Sequence, residues 1–139
     1  MNTAEQLATI DLLWGSPFPA DHGRSAVGWG GPRFVMAELA EHGGVRDLAE
    51  AEADADRDGL SALLATRWGA PHELSLWSVN TRALEYGEEI PEPWGWLSAC
   101  AQDIHLWTVG ERWVALAVSR QGDGRPYQLL AVITDIPPP

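Results

Sequence analysis

The sequence predicts an α+β fold: N-terminal helices followed by a mostly antiparallel, four-stranded meander with a helix packed on the sheet. Three observations carry this prediction. Apolar residues recur at helical spacing through the first half of the chain. After Pro71 the period shifts toward two, in runs rich in Val, Ile, Leu and Trp that are separated by short turns. A length of 139 residues with 45% hydrophobic content supports one core without disulfide bonds. The chain is therefore read as a single domain, 1–139, with a mainly helical half (1–70) and a mainly strand half (71–139).

In order along the chain, residues 3–13 place Leu7, Ile10 and Leu13 or Trp14 on one helical stripe, and Gly15 with Pro17 ends it. Residues 15–31 are rich in Gly, Pro and Ser and read as a loop. A short helix is expected over Pro32–Glu41, with Phe34, Val35, Leu39 and the Met36/Ala40 pair inward and Gly43-Gly44 as its stop. A third helical region covers 45–68. Its first part, VRDLAEAEADAD, is Ala- and acid-rich; in its second part Leu60, Leu63, Leu64 and Trp68 form a stripe closed by Gly69 and Pro71.

LSLWSV (74–79) reads as the first strand and residues 80–103 as an irregular connection. IHLWTV (104–109), RWVALAVSR (112–120) and YQLLAVITDI (127–136) are the clearest strands, and PPP blunts further pairing. Asp123-Gly124 suits a type I′ turn. Counting outward from it sets Arg120 opposite Tyr127, Val118 opposite Leu129, Leu116 opposite Ala131, Val114 opposite Ile133 and Arg112 opposite Asp135. Both faces of this hairpin are apolar in the middle, so both are expected to be covered. Gly110-Glu111 makes a second tight turn. Its register opposes His105 to Leu116, a mismatch that a bulge is expected to relieve.

Twenty acidic residues face nine basic ones, all Arg, for a net charge of -11. Such a surface repels nucleic-acid phosphates and anionic membranes, and it suits either solubility alone or a basic protein partner. Cys100 is the only cysteine, so no internal disulfide forms and a cytoplasmic location is expected. The N-terminus lacks the basic and apolar regions of a signal peptide, and no run is long enough for a membrane span.

The stretch DADRDG (54–59) matches the first half of an EF-hand loop: Asp54, Asp56, Asp58 and Gly59 fill positions 1, 3, 5 and 6. Position 12, which needs a bidentate carboxylate, is Ala65. The alternative is that Asp58 caps a helix starting at Gly59 or Leu60. No metal site is expected, and no cofactor is implied.

Eight tryptophans are present. Trp68, Trp77, Trp107 and Trp113 fall in predicted elements and are expected in the core. Trp29, in a Gly-rich loop, and Trp94 and Trp96, in PEPWGWLS, are candidates for a ligand-binding or interface role; the alternative is that their rings fold back over the core as lids. His22, His42, His72 and His105 form no HxH or HxxxH pair. Cys100 has no defined geometry with His105, and Ser16, Ser25 and Ser61 lack a G-x-S-x-G context. GWGGPRF (28–34) lacks the strand and Lys of a phosphate loop. No catalytic residue is assigned, and the chain is read as non-enzymatic.

LLATRWGAP, IPEPWGWL, VGERWVALAVS and PYQLLAVITDI, spread over about residues 60–136, resemble small acidic, uncharacterised proteins of GC-rich bacteria. Some similar proteins are immunity or accessory partners of secreted toxins. The resemblance implies an immunity-type inhibitor that masks a basic partner such as a toxin. The acids themselves suggest the contacts: Glu50, Glu52, Asp54, Asp56 and Asp58, with Glu88, Glu89, Glu92 and Trp94 in the long loop. The alternative is a small-molecule or carbohydrate-binding domain with Trp29, Trp94 and Trp96 around a pocket.

Overall fold

The computed structural model describes residues 2–25 and 27–139. The class is α+β, as the sequence predicts, but the sheet has seven strands in place of four. The elements are α1 (Thr3–Gly15), β1 (Gly23–Arg24), β2 (Trp29–Gly31), β3 (Phe34–His42), α2 (Arg46–Trp68), β4 (His72–Ser75), α3 (Trp77–Tyr86), α4 (Trp94–Cys100), β5 (Ala101–Val109), β6 (Arg112–Arg120) and β7 (Tyr127–Thr134). Strand order is β1-β2-β3-β7-β6-β5-β4, with every pair antiparallel.

The largest correction is at residues 32–41. The expected helix is strand β3, paired along its length with β7 and turned back on β2. Val35, Ala37 and Leu39 point to one face of the sheet; Phe34 and Met36 point to the other. Both faces are covered, so the strand reads as a continuous apolar run rather than an alternation. The first half of the chain thus supplies three strands as well as two helices. Gly28 is required here, because a Cβ on it would overlap the backbone carbonyl of Met36.

The β6–β7 register is the predicted one from Trp113–Thr134 to Arg120–Tyr127. Its turn is not type I′. Arg125 N–H donates to the Gly122 carbonyl at 3.2 Å, and of the central pair only Gly124 has positive φ, at 78°. That pattern belongs to a type II turn. The Arg112–Asp135 pair does not form. Asp135 accepts from Arg33 Nε at 2.7 Å, while the Arg112 guanidinium lies over the rings of Trp14 and Phe18. His105 does oppose Leu116, and the bulge lies earlier, between Ala101 and Ile104.

Helices cover both faces, not one. α1 and α2 pack on the first face, burying Ile10, Leu13, Leu60 and Leu64 against Val35, Trp107, Val114, Leu116, Leu129 and Ile133. The Asn2 side chain caps α1 by accepting from Glu5 N–H at 2.9 Å. α2 runs unbroken for 23 residues. Ala49, Ala53, Leu60 and Leu64 fall on its inner stripe, and the two alanines admit the Tyr127 ring. Asp58 is therefore mid-helix, and it caps nothing.

α3 and α4 occupy the opposite face. They replace the second half of the expected 74–79 strand and most of the expected irregular connection. Leu76, Val79, Ile90, Trp94 and Leu97 are buried there against Ile104, Leu106, Ala115, Ala117, Leu130 and Val132. Trp94, expected in a loop between strands, lies in α4 and is wholly buried, and its Nε1–H donates to the Ile136 carbonyl at 2.9 Å. Trp77, expected in the core, is 73% exposed. Among the described residues, no helix is long and apolar enough to cross a membrane.

Candidate functional site

Trp29 and Trp96 come together at the end of the sheet that α4 leaves partly open. The tight β2–β3 connection pairs Trp29 with Met36, which places Trp29 on the same face as Phe34 and Met36. α4 lies on this face through Trp94 and Leu97, so Trp96 stands on its flank. The two indoles meet edge to face, with centroids 6.3 Å apart and planes 79° apart.

They wall a cleft of about 450 Å³, whose lining includes Phe34, Met36, Gly30, His22, Arg24 and Glu92. That volume is within the range of small-molecule sites, which run from about 300 to 1,000 Å³. Phe34 and Met36 are buried and make an apolar floor. Gly30 is needed beside it, because a Cβ there would sit 2.6 Å from the Phe34 carbonyl. At the rim, Glu92 is fixed: its Oε2 accepts from Trp96 N–H at 3.0 Å. His22 packs on Phe34, with ring centroids 5.7 Å apart. Arg24 also lines an adjoining hollow with Val27, Gly28, Trp29 and Glu38. Burial and the neighbouring Glu41 raise the Glu38 carboxyl above its usual range.

Of the three tryptophans named as ligand contacts, two thus share a cleft, and Trp94 is buried in the core cluster of the same face. The long-range meeting of β2 with α4 has no local sequence signal; the floor residues Phe34 and Met36 are legible as apolar but not as strand residues facing Trp29.

The acidic candidates are divided. Glu50, Glu52, Asp54, Asp56 and Asp58 lie on α2, while Glu88 and Glu89 lie beyond α3 on the opposite face of the sheet. Several are held internally. His42 bonds both Glu52 (3.1 Å) and Asp56 (2.6 Å), Arg57 reaches Asp58 (3.2 Å) and Asp54 (3.8 Å), and Tyr127 OH donates to Glu50 at 3.3 Å. Glu88 pairs with Arg82 at 3.0 Å. Asp54, Asp56 and Asp58 sit about 200° apart at each step around one helix, so they do not converge as calcium ligands. Among the described residues, no group of three or more His, Cys, Asp or Glu side chains is placed to hold a metal.

A larger hollow, about 680 Å³, lies between α2 and the start of β5. Its lining opposes Arg46, Arg57 and Arg120 to Glu50, Asp54 and Asp103. Burial raises the Asp54 carboxyl, with Arg57 opposing the shift. This hollow holds no field of one sign that would select a charged ligand.

A serine–histidine contact exists inside the sealed face. His105 Nδ1 lies 2.8 Å from Ser61 Oγ, and its Nε2 lies 3.6 Å from Glu73 and 3.8 Å from Asp58. Both Ser61 and His105 are buried between α2 and β5, so a substrate carbonyl cannot reach the hydroxyl while the helix is seated. Burial, and secondarily Arg57, lowers the His105 pKa and favours the neutral ring. Cys100 is no better as a nucleophile. Burial pushes its thiol up to about 12, and Sγ–H donates to the Trp96 carbonyl at 3.4 Å.

Comparison of the chain with protein-family models, curated proteins and solved structures gives no match.

Proposed function

We propose that this chain is a non-catalytic binding domain that takes a small molecule or carbohydrate in the cleft walled by Trp29 and Trp96. One observation carries the reading: two partly buried indoles from distant segments stand edge to face over an apolar-floored cleft of about 450 Å³. A folded protein leaves such aromatic surface open at a concave site mainly where something binds it. The test is a ligand screen by tryptophan fluorescence, repeated on Trp29→Phe and Trp96→Ala. A saturable change that Trp96→Ala removes supports the reading. A change that survives both substitutions places binding elsewhere and rejects it.

A second reading is favoured by charge. The net charge is -11, and Glu52, Asp58, Glu88 and Glu89 are exposed. These features suit an acidic, cytoplasmic inhibitor of the immunity type that masks a basic partner such as a toxin and does not bind nucleic acid. Here Glu52 and Asp58 make one contact surface and Glu88 with Glu89 another. Neutralising either pair should lower the association rate and flatten its salt dependence. An unchanged rate after both changes excludes this reading.

A further inference from the structure

We infer that the cleft accepts a small zwitterion whose cationic end is a quaternary ammonium group and whose anionic end meets Arg24. This deepens the ligand reading of the same cleft and rests on it. The ring geometry is the first argument. A sugar ring stacks best on a flat aromatic platform, whereas Trp29 and Trp96 stand 79° apart and form a corner. A corner fits a rounded group that presents C–H surface on all sides, and the buried Phe34 and Met36 close it from below.

Hydrogen bonding is the second argument. The corner and its floor, Phe34 and Met36, contain few side-chain acceptors. A primary ammonium pairs one N–H with Glu92 at the rim but leaves the others facing the apolar floor at a desolvation cost. A methylated ammonium has none to satisfy, and its charge is attracted to the indole faces.

Charge is the third. Glu92, fixed through Trp96 N–H, sets a carboxylate on the rim of the same corner. The net charge of -11 raises the local concentration of cations. Arg24 lies directly across the β1–β2 pair from Trp29 and lines the cleft on that flank, and no ion pair or side-chain hydrogen bond of Arg24 is present among the described residues. A ligand with a lone positive charge is repelled by Arg24; one with a carboxylate or phosphate a few bonds away engages it.

The experiment titrates the whole protein by calorimetry with glycine betaine, phosphocholine, choline, the neutral isostere of choline in which carbon replaces nitrogen, and a panel of simple sugars. The zwitterions should bind saturably, with the neutral isostere weaker by about ten-fold or more. Glu92→Gln keeps an acceptor for Trp96 N–H and should weaken choline and both zwitterions by about ten-fold. Arg24→Ala, at an exposed site, should weaken the zwitterions and leave choline no weaker. Betaine and phosphocholine separate a carboxylate from a phosphate at the anionic end. Equal affinity for choline and its neutral isostere, or binding of sugars alone, overturns the zwitterion proposal and leaves the cleft a ligand site. Absence of binding by every probe overturns the zwitterion proposal, and Trp96-independent binding of some other ligand defeats the cleft reading itself.

Discussion

The two faces of the sheet are built from the same strands and finished differently. On the face under α1 and α2, Leu, Ile and Val side chains close around Trp107, and even the polar pair His105–Ser61 is buried and mutually bonded. On the other face, the short helices α3 and α4 cover one end, and Trp29 and Trp96 are left partly open at the other. Cover length sets the difference. A helix of 23 residues is about 35 Å long and crosses several strands, whereas the seven residues of α4 span only about 10 Å. One face is sealed and the other keeps an open cleft.

The contrast is most sharply broken at Leu116, which is fully buried on the sealed face. Leu116→Ala should cost about 2–5 kcal/mol, read as a fall in the urea midpoint. Trp96→Ala, although it deletes a larger side chain, should cost less than half as much, because the cleft already exposes part of the ring. Equal losses would contradict the division of roles.

Trp94 tests the core of the face that carries the cleft. Trp94→Phe keeps an aromatic ring but removes the donor to the Ile136 carbonyl, and should cost about 1–2 kcal/mol by the same measurement.

Acid should affect the sealed face through His105. Its folded pKa is lowered by burial and Arg57, against the opposing pull of Asp58, Glu73 and Asp103. The unfolded chain therefore binds the proton more readily. The stability from neutral His105 is present above the ordinary histidine pKa of about 6.5 and is lost as pH falls below it toward the folded value. The slope of unfolding free energy between pH 7.5 and pH 5 should be shallower in His105→Gln. An unchanged slope would place the acid sensitivity elsewhere.

The smallest effect is a gain. Gly59 lies within α2, exposed, with open space where a Cβ would go. Gly59→Ala should raise stability by about 1 kcal/mol, seen as a higher thermal midpoint.

Legibility in the sequence follows the same physics. The β6–β7 register was readable because Asp123-Gly124 centres the hairpin and the flanking residues match across it. β3 was not readable. FVMAELAEH is built from good helix formers, and only its pairing with β7 and burial on both faces make it a strand. SLWSVNTRALEY misled in the other direction: a brief alternation at 74–79 spans the end of β4 and the start of α3. Half of the cleft was visible as loop tryptophans. Its assembly was not, since nothing local to Trp29 or Trp96 shows that β2 and α4 meet.

β7 lies at the centre of the sheet, bonded to β3 on one side and β6 on the other. On the ribosome, β1–β3 and β4–β6 therefore emerge as two unfinished ribbons, each with an apolar edge and no partner. Residues 127–134 act as the keystone, and the two ribbons become one sheet only once that strand has been made. Until then the nascent chain is open to mispairing and to chaperone capture, and a stop codon ahead of Tyr127 removes the strand that joins the two ribbons rather than one at an edge.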